Sequence, residues 1–263
     1  MELRLTRRKI MQNSIPLHPA VVSQDDWLIA RKQLLRREKE LTRLRDEVDA
    51  ARRALPWAKV EKDYSFDGPG GKVTLVDLFE GRSQLIVQHF MFAPDWNEGC
   101  IGCSFKSDHV DGALAHLIHH DVAFVSVSRA PFAKLEAFRR RMGWRFKWVS
   151  SHGSDFNYDF HVSFTPEEAA SGMVLYNYEP RPFESDERSG NSVFYKDETG
   201  AVFHTYSTFG RGDETLDTTY MYLDLTPKGR SETGPAFNLM DWVKHHDRYE
   251  ADGSVGLACH CED

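Results

Sequence analysis

Residues Gln84–Phe105, QLIVQHFMFAPDWNEGCIGCSF, constrain the fold more tightly than any other stretch of the 263-residue chain. Gln84–Phe92 has the length and the β-branched and aromatic content of a buried strand. Ala93–Gly99 follows with Pro94, Asp95, Asn97 and Gly99, residue types that turn a chain and start a helix. Ser104–His120 then carries Phe105, Ala113, Leu114, Leu117 and Ile118 at helical spacing. Cys100 and Cys103, spaced C-x-x-C, therefore fall in the first turn of a helix that leaves a central strand. Backbone N–H groups lack partners there, and the helix dipole favours an anion. A thiolate is such an anion, and it is the nucleophile of disulfide exchange.

The segments around this stretch alternate. Tyr64–Glu80 reads as short strands around the turn at Asp67-Gly68-Pro69-Gly70-Gly71. Asp121–Ser128 is a second apolar, β-branched run, Pro131–Met142 a short helix, and Arg145–Ser151 a third strand. Strand and helix in that order imply βαβ crossovers and a largely parallel sheet. Ser192–Phe209 gives two strand-like runs flanking Asp197-Glu198-Thr199-Gly200, a hairpin signature. Gly153–Phe164 reads as a packed aromatic loop, and the polar Arg181–Asn191 as a flexible one. Thr215–Leu223 and Phe237–Tyr249 have the pattern of helices.

Ser23 opens a long helical segment running to about Leu55, with Ser23 and Asp26 spaced like a capping box. Trp27, Leu34, Leu41, Val48 and Leu55 recur every seventh residue, Leu44 and Ala51 form a second line, and Arg37 interrupts the stripe. This is the pattern of a packing or dimerisation helix, and a homodimer is expected. The chain thus divides into a flexible leader (1–22), an amphipathic helix (23–56), a main domain (57–234) and a C-terminal helix with a cysteine-bearing tail (235–263).

Composition sets the boundaries of function. With 41% hydrophobic residues the chain can bury a large core, and its net charge of −7 excludes the electrostatic footprint of a nucleic-acid binder. No run approaches the about 18 apolar residues of a spanning helix, so no membrane partner is expected. The basic N-terminus lacks the apolar core of a signal peptide, which points to the cytoplasm. In that reducing compartment, paired thiols among only four cysteines are catalytic, redox-sensing or metal-binding more often than structural.

Taken together, the pieces look like the thioredoxin fold in its peroxiredoxin-like form: α/β, with a central mixed sheet, a long N-terminal helix and a C-terminal helical extension. The stretches MFAPDWNEGCIGCSF, VSVSRAPFAKLEAFRRRMGW, SSHGSDFNYDF, SVFYKDETGAVFHTYSTFGRG and YLDLTPKGR resemble the bacterial domain-of-unknown-function family 899. Members of that family are labelled predicted dithiol–disulfide oxidoreductases. The resemblance implies catalysis by Cys100 and Cys103 on a protein or small-molecule disulfide, with no cofactor. Three departures from better-known relatives stand out. Trp96 lies four residues before Cys100 rather than beside it. Gly190-Asn191-Ser192 stands where many thioredoxin-like enzymes carry a cis-proline. Peroxiredoxin spacing counted from Pro94 puts Glu98 and Ile101 at the hydroxyl and cysteine positions, which disfavours a peroxidase.

In the redox reading, the more exposed Cys100 attacks a disulfide and the inward Cys103 resolves the mixed disulfide. Asp95, Glu98, Asp108 and Asp111 oppose thiolate formation, with Lys106 the close cation in sequence, and this balance predicts a reducing couple. The alternative is a non-catalytic binding or assembly protein that uses cysteines for a structural zinc. Cys259-His260-Cys261 could complete a four-thiolate set with Cys100 and Cys103, relay electrons, or be incidental to a terminus. His116 and His120, at i and i+4, read as surface histidines without further zinc ligands, and Arg129 as an ion-pair partner. No Gly-rich phosphate loop, nucleophile elbow or dinucleotide fingerprint is present.

Overall fold

The structure, a computed structural model, describes residues 19–230 and 242–249. The chain divides into two compact units, Met1–Ala54 and Leu55–Asp263. The first is built on α1 (Gln24–Arg53), thirty residues long with none buried. Ser23 caps it: its Oγ accepts the Asp26 N–H at 3.1 Å and donates to the Asp26 carboxylate at 2.7 Å. That satisfies one of the orphan donors of the first turn.

The second unit holds an eight-stranded sheet, with β1 (Ala58–Lys59), β2 (Ser65–Gly68), β3 (Gly71–Thr74) and β4 (Gln84–His89) before the C-x-x-C turn. After α2 (Ile101–Ser107) and α3 (Leu114–His119) comes β5 (Val122–Ser128), then α4 (Phe132–Arg141) and β6 (Lys147–Ser150). The short helices α5 (Phe156–Asp159) and α6 (Pro166–Ala170) precede a separate hairpin of β7 (Met173–Tyr176) and β8 (Glu179–Pro182). The strands β9 (Gly190–Lys196) and β10 (Val202–Phe209) and the helix α7 (Thr218–Leu223) are the last strands and α-helix among the described residues.

Strand order in the large sheet is β1-β10-β9-β4-β5-β6-β2-β3. Only β4, β5 and β6 run parallel, with Val87 beside Val125 and Val127 beside Val149. The hairpin β9–β10 adds antiparallel to β4, Ser192 opposite Val87, and β2 adds antiparallel to β6. The sheet is therefore mixed, as the expected fold class has it, and the parallel part read from the βαβ order is confined to three central strands flanked by the hairpin and the β2–β3 ribbon. A parallel centre with crossover helices and a closing hairpin is the thioredoxin-like arrangement.

Alternation along the strands sorts the core onto two faces. Leu85, Val87, Val125, Val127 and Val149 pack with Phe66, Phe156 and Phe194 on one face. Phe90, Phe92, Trp148, Leu135, Phe138 and Trp144 pack on the other, against Cys103. Each such side chain contributes about 1.5–3 kcal/mol on burial. The first face also contains a polar string, His89 Nε2 to Ser192 Oγ, Ser192 to Ser207 and Ser207 to His204 Nε2, each contact 2.7 Å. Burial pushes His89 down to about 3, so it stays neutral.

Several elements differ from expectation. The helix expected over Ser104–His120 is two, α2 and α3, separated by a turn at residues 108–113. Asp111 accepts the N–H groups of Arg145 and Phe146 at 2.9–3.1 Å, and Asp108 accepts Trp144 Nε1 at 2.8 Å, so the sheet's far end pins the break. The segment expected over Thr215–Leu223 is split at Asp217 between a 3₁₀ turn (Gly210–Leu216) and α7. Arg181–Asn191 is not a free loop: Glu187 is buried, bridged to Ser163 and paired with Arg129 at 2.5 Å. Of the helix expected over Phe237–Tyr249, residues 237–241 lie outside the described residues, and the remainder contains a 3₁₀ turn at His246–Arg248. The leader through residue 18 and the Cys259–Cys261 tail also lie outside them. Among the described residues no helix is long and apolar enough to cross a membrane.

Candidate functional site

The C-x-x-C turn is fixed from three sides before its chemistry begins. Phe92 O receives the Ala130 N–H at 2.8 Å, and Met91 O receives the Cys100 N–H at 3.0 Å. Lys134 Nζ donates to the carbonyls of Pro94 and Trp96 at 2.8 and 2.7 Å, closing the turn from α4. His245, itself buried, contacts Gly99 O through Nε2 at 3.0 Å. Gly99 is required there: a Cβ would sit 2.7 Å from the Phe90 ring.

Cys100 is the N-cap of α2, and Cys103 lies one turn in. Cys100 is half-buried and Cys103 is buried, 5% exposed. The Cys103 sulfur accepts the Met91 N–H at 3.4 Å, and its carbonyl accepts Gln88 Nε2 at 3.4 Å. Gln88 is in turn held by the hydroxyls of Ser107 and Ser126 at 3.1 and 2.8 Å. The thiols are thus placed by the strand they follow, not by the helix alone.

The two thiols ionise in opposite directions. Cys100 is lowered to about 7, chiefly by a hydrogen bond from the Cys103 thiol, against burial, with the N–H groups of Cys103 and Gly102 and the charge of Lys106 assisting. Cys103 is pushed well above its ordinary value by the same contact and by burial. Three of the four carboxylates expected to oppose the thiolate, Glu98, Asp108 and Asp111, are engaged elsewhere. Glu98 pairs with Arg141 at 2.6 Å and with Arg248, while Asp108 and Asp111 hold the Trp144–Phe146 segment.

A cavity of about 250 Å³ opens over the dithiol, lined by both cysteines, Gln88, Lys106, Gly190, Asp213, Asp217 and Tyr220 among others. Lys106 reaches Asp213 at 2.5 Å, and Asn191 Nδ2 donates to the same carboxylate at 2.7 Å. Asp217 is pushed up to about 6 by burial, with the Lys106 charge acting the other way. The sequence offers little signal for this wall. Lys106 follows Cys103 by one turn, but Asp213, Asp217 and Tyr220 arrive from a distant segment. Gly190-Asn191-Ser192 opens β9 at the cavity's edge, where a Gly190 Cβ would lie 2.4 Å from the Phe209 ring.

The remaining candidates lie apart from the dithiol. His116 and His120 are exposed on and after α3. Arg129 binds Glu187 and the Tyr158 hydroxyl, the latter at 2.7 Å, and burial pushes Glu187 up to about 7. Among the described residues no three His, Cys, Asp or Glu side chains converge as a metal set; Cys259, His260 and Cys261 lie outside those residues.

A family model described as bacterial protein of unknown function (DUF899) matches residues 16–249. No curated protein matches the chain. Among solved structures it is similar to the peroxidoxin BcpB of Mycobacterium tuberculosis, at 13% identity over 63% of this chain and 95% of that one, with a TM-score of 0.41. Peroxiredoxin Q of Xanthomonas campestris aligns at 14% identity over 59% and 85% of the two chains, TM-score 0.40. A candidate thiol:disulfide interchange protein DsbE from Chlorobium tepidum aligns at 14% identity over 64% and 97%, TM-score 0.37.

Proposed function

We propose that this chain, which belongs to the bacterial protein family of unknown function DUF899, is a dithiol–disulfide oxidoreductase in which Cys100 attacks and Cys103 resolves. The observation that carries the reading is the opposed ionisation of the two thiols within one helical turn, inside a cavity. With Cys100 lowered to about 7, its thiolate is accessible near neutral pH, while Cys103, pushed the other way, keeps its proton.

The Cys100 thiolate attacks one sulfur of a substrate disulfide, forming a mixed disulfide and releasing the other sulfur as a thiolate that takes a proton from water. Cys103 then loses its proton and attacks the Cys100 sulfur. The second substrate thiolate leaves and is protonated, and the protein retains a Cys100–Cys103 disulfide. Two electrons have passed to the substrate, and a dithiol donor restores the reduced pair. An attacking thiol near 7 groups with reducing couples, whose attacking thiols ionise at about 7, rather than with oxidants ionising near about 3.5. The substrate is a protein or small-molecule disulfide, and the compartment that suits such a reductase is the cytoplasm.

Turnover of a model disulfide with a dithiol donor tests the assignment. Cys100→Ser should abolish it, and Cys103→Ser should accumulate a mixed disulfide on Cys100 visible as added mass. Full turnover by Cys100→Ser would overturn the proposal.

A further inference from the structure

Helix α1 carries an exposed apolar seam along its length. Trp27, Leu34, Leu41, Leu44 and Val48 are each between 48% and 58% exposed. A contiguous stripe of that kind marks an interaction surface, whereas scattered exposed apolar residues do not. Its repeat is seven residues, the period of a two-stranded left-handed coiled coil.

The charges beside the seam identify the occupant. With Trp27, Leu34, Leu41 and Val48 at the first seam position, Ala30, Arg37, Leu44 and Ala51 take the second. The flank preceding each first position is Asp26, Gln33, Glu40 and Glu47; the flank following each second position is Arg31, Glu38, Arg45 and Arg52. In a parallel, in-register pair of identical helices, each residue of the first flank meets the residue five further on in the other chain. Asp26 then faces Arg31, Glu40 faces Arg45 and Glu47 faces Arg52, with Gln33 opposite Glu38 the neutral exception. An antiparallel pair over the same stretch sets each flank against itself: Asp26 then meets Glu47 and Arg31 meets Arg52, each twice, while Glu38 meeting Arg45 and Gln33 meeting Glu40 offset this only in part. Like charges at those positions reject a partner as effectively as unlike ones select it. Arg37, the one charged residue of the seam, pairs with Glu40 of its own helix at 3.3 Å.

We infer that α1 is the interface of a homodimer, zipped to a second copy of this chain as a parallel, in-register coiled coil. The partner is specified by the helix's own charge pattern, and the pairing does not depend on the chemistry of the dithiol.

Sedimentation equilibrium of the full-length reduced protein at micromolar concentration should give about twice the 30.2 kDa chain mass. Ala51→Cys should cross-link that dimer through residue 51 of each chain on mild oxidation, because only the parallel register brings the position against itself. Glu40→Arg with Glu47→Arg should dissociate the dimer, and adding Arg45→Glu with Arg52→Glu should restore it. The restoring variant separates broken pairing from a chain that fails to fold. A monomeric wild-type chain, a dimer without the residue-51 cross-link, or a dimer indifferent to the charge reversal would each overturn the inference.

Discussion

Whether Cys100 is a nucleophile near neutral pH depends on one sulfur more than on the helix. A helix terminus stabilises an anion by about 0.3–1 kcal/mol, less than the about 1.4 kcal/mol of one pKa unit. The Cys103 thiol, donating to the Cys100 sulfur, is the larger influence, and it opposes the burial that would hold the proton on. Cys103→Ala should therefore raise the Cys100 ionisation above about 7 even though α2 is intact, as read by the pH dependence of iodoacetamide labelling. An unchanged midpoint would assign the shift to the backbone instead. His89 carries a different pH dependence. Its folded value near 3 lies below the unfolded value of about 6.5, so the unfolded chain binds the extra proton between those limits. Stability from neutral His89 is fully present above about 6.5 and is lost as pH falls toward 3. Within that window His89→Gln should reduce the slope of unfolding free energy against pH by up to about 1.4 kcal/mol per pH unit, measured by urea unfolding at several pH values.

At the scale of elements, Gly99 shows how the strand, the turn and α2 depend on one another. A methyl group there would press on Phe90, which is buried among Trp144 and Trp148 and has no room to yield. Gly99→Ala should cost about 1–3 kcal/mol by overpacking, seen as a Tm several degrees lower, and should move the Cys100 backbone that follows. A Gly99→Ala variant as stable as wild type would show that the turn relaxes freely. The strands that build this scaffold were legible because their patterns are local. Gln84–His89, Val122–Ser128, Lys147–Ser150 and the hairpin around Asp197–Gly200 all lie within or close to the expected runs. What escaped was decided by contacts between distant segments. Leu114, Leu117 and Ile118 continue a helical spacing, yet Asp111 spends its carboxylate on Arg145 and Phe146, and the helix breaks. The polar composition of Arg181–Asn191 reads as a free loop until Arg129 supplies the partner that buries Glu187.

Across the whole molecule, residues 57–230 act as a frame that brings Lys106, Asp213, Asp217 and Gly190 around a dithiol that the sequence alone could place only at a helix start. The cysteine pair was visible in the sequence as spacing, whereas its wall was not, because the wall comes from segments on either side of the β9–β10 hairpin. Its chemistry as a unit is the central claim, and a redox titration of the intact protein tests it most directly. The protein is equilibrated with defined ratios of reduced and oxidised dithiothreitol or glutathione, quenched by alkylation, and mapped by peptide mass. A single two-electron transition joining Cys100 to Cys103, with a midpoint in the reducing range of about −270 to −200 mV, is the predicted result. No Cys100–Cys103 disulfide at any poise, or a midpoint near about −120 mV, would contradict it.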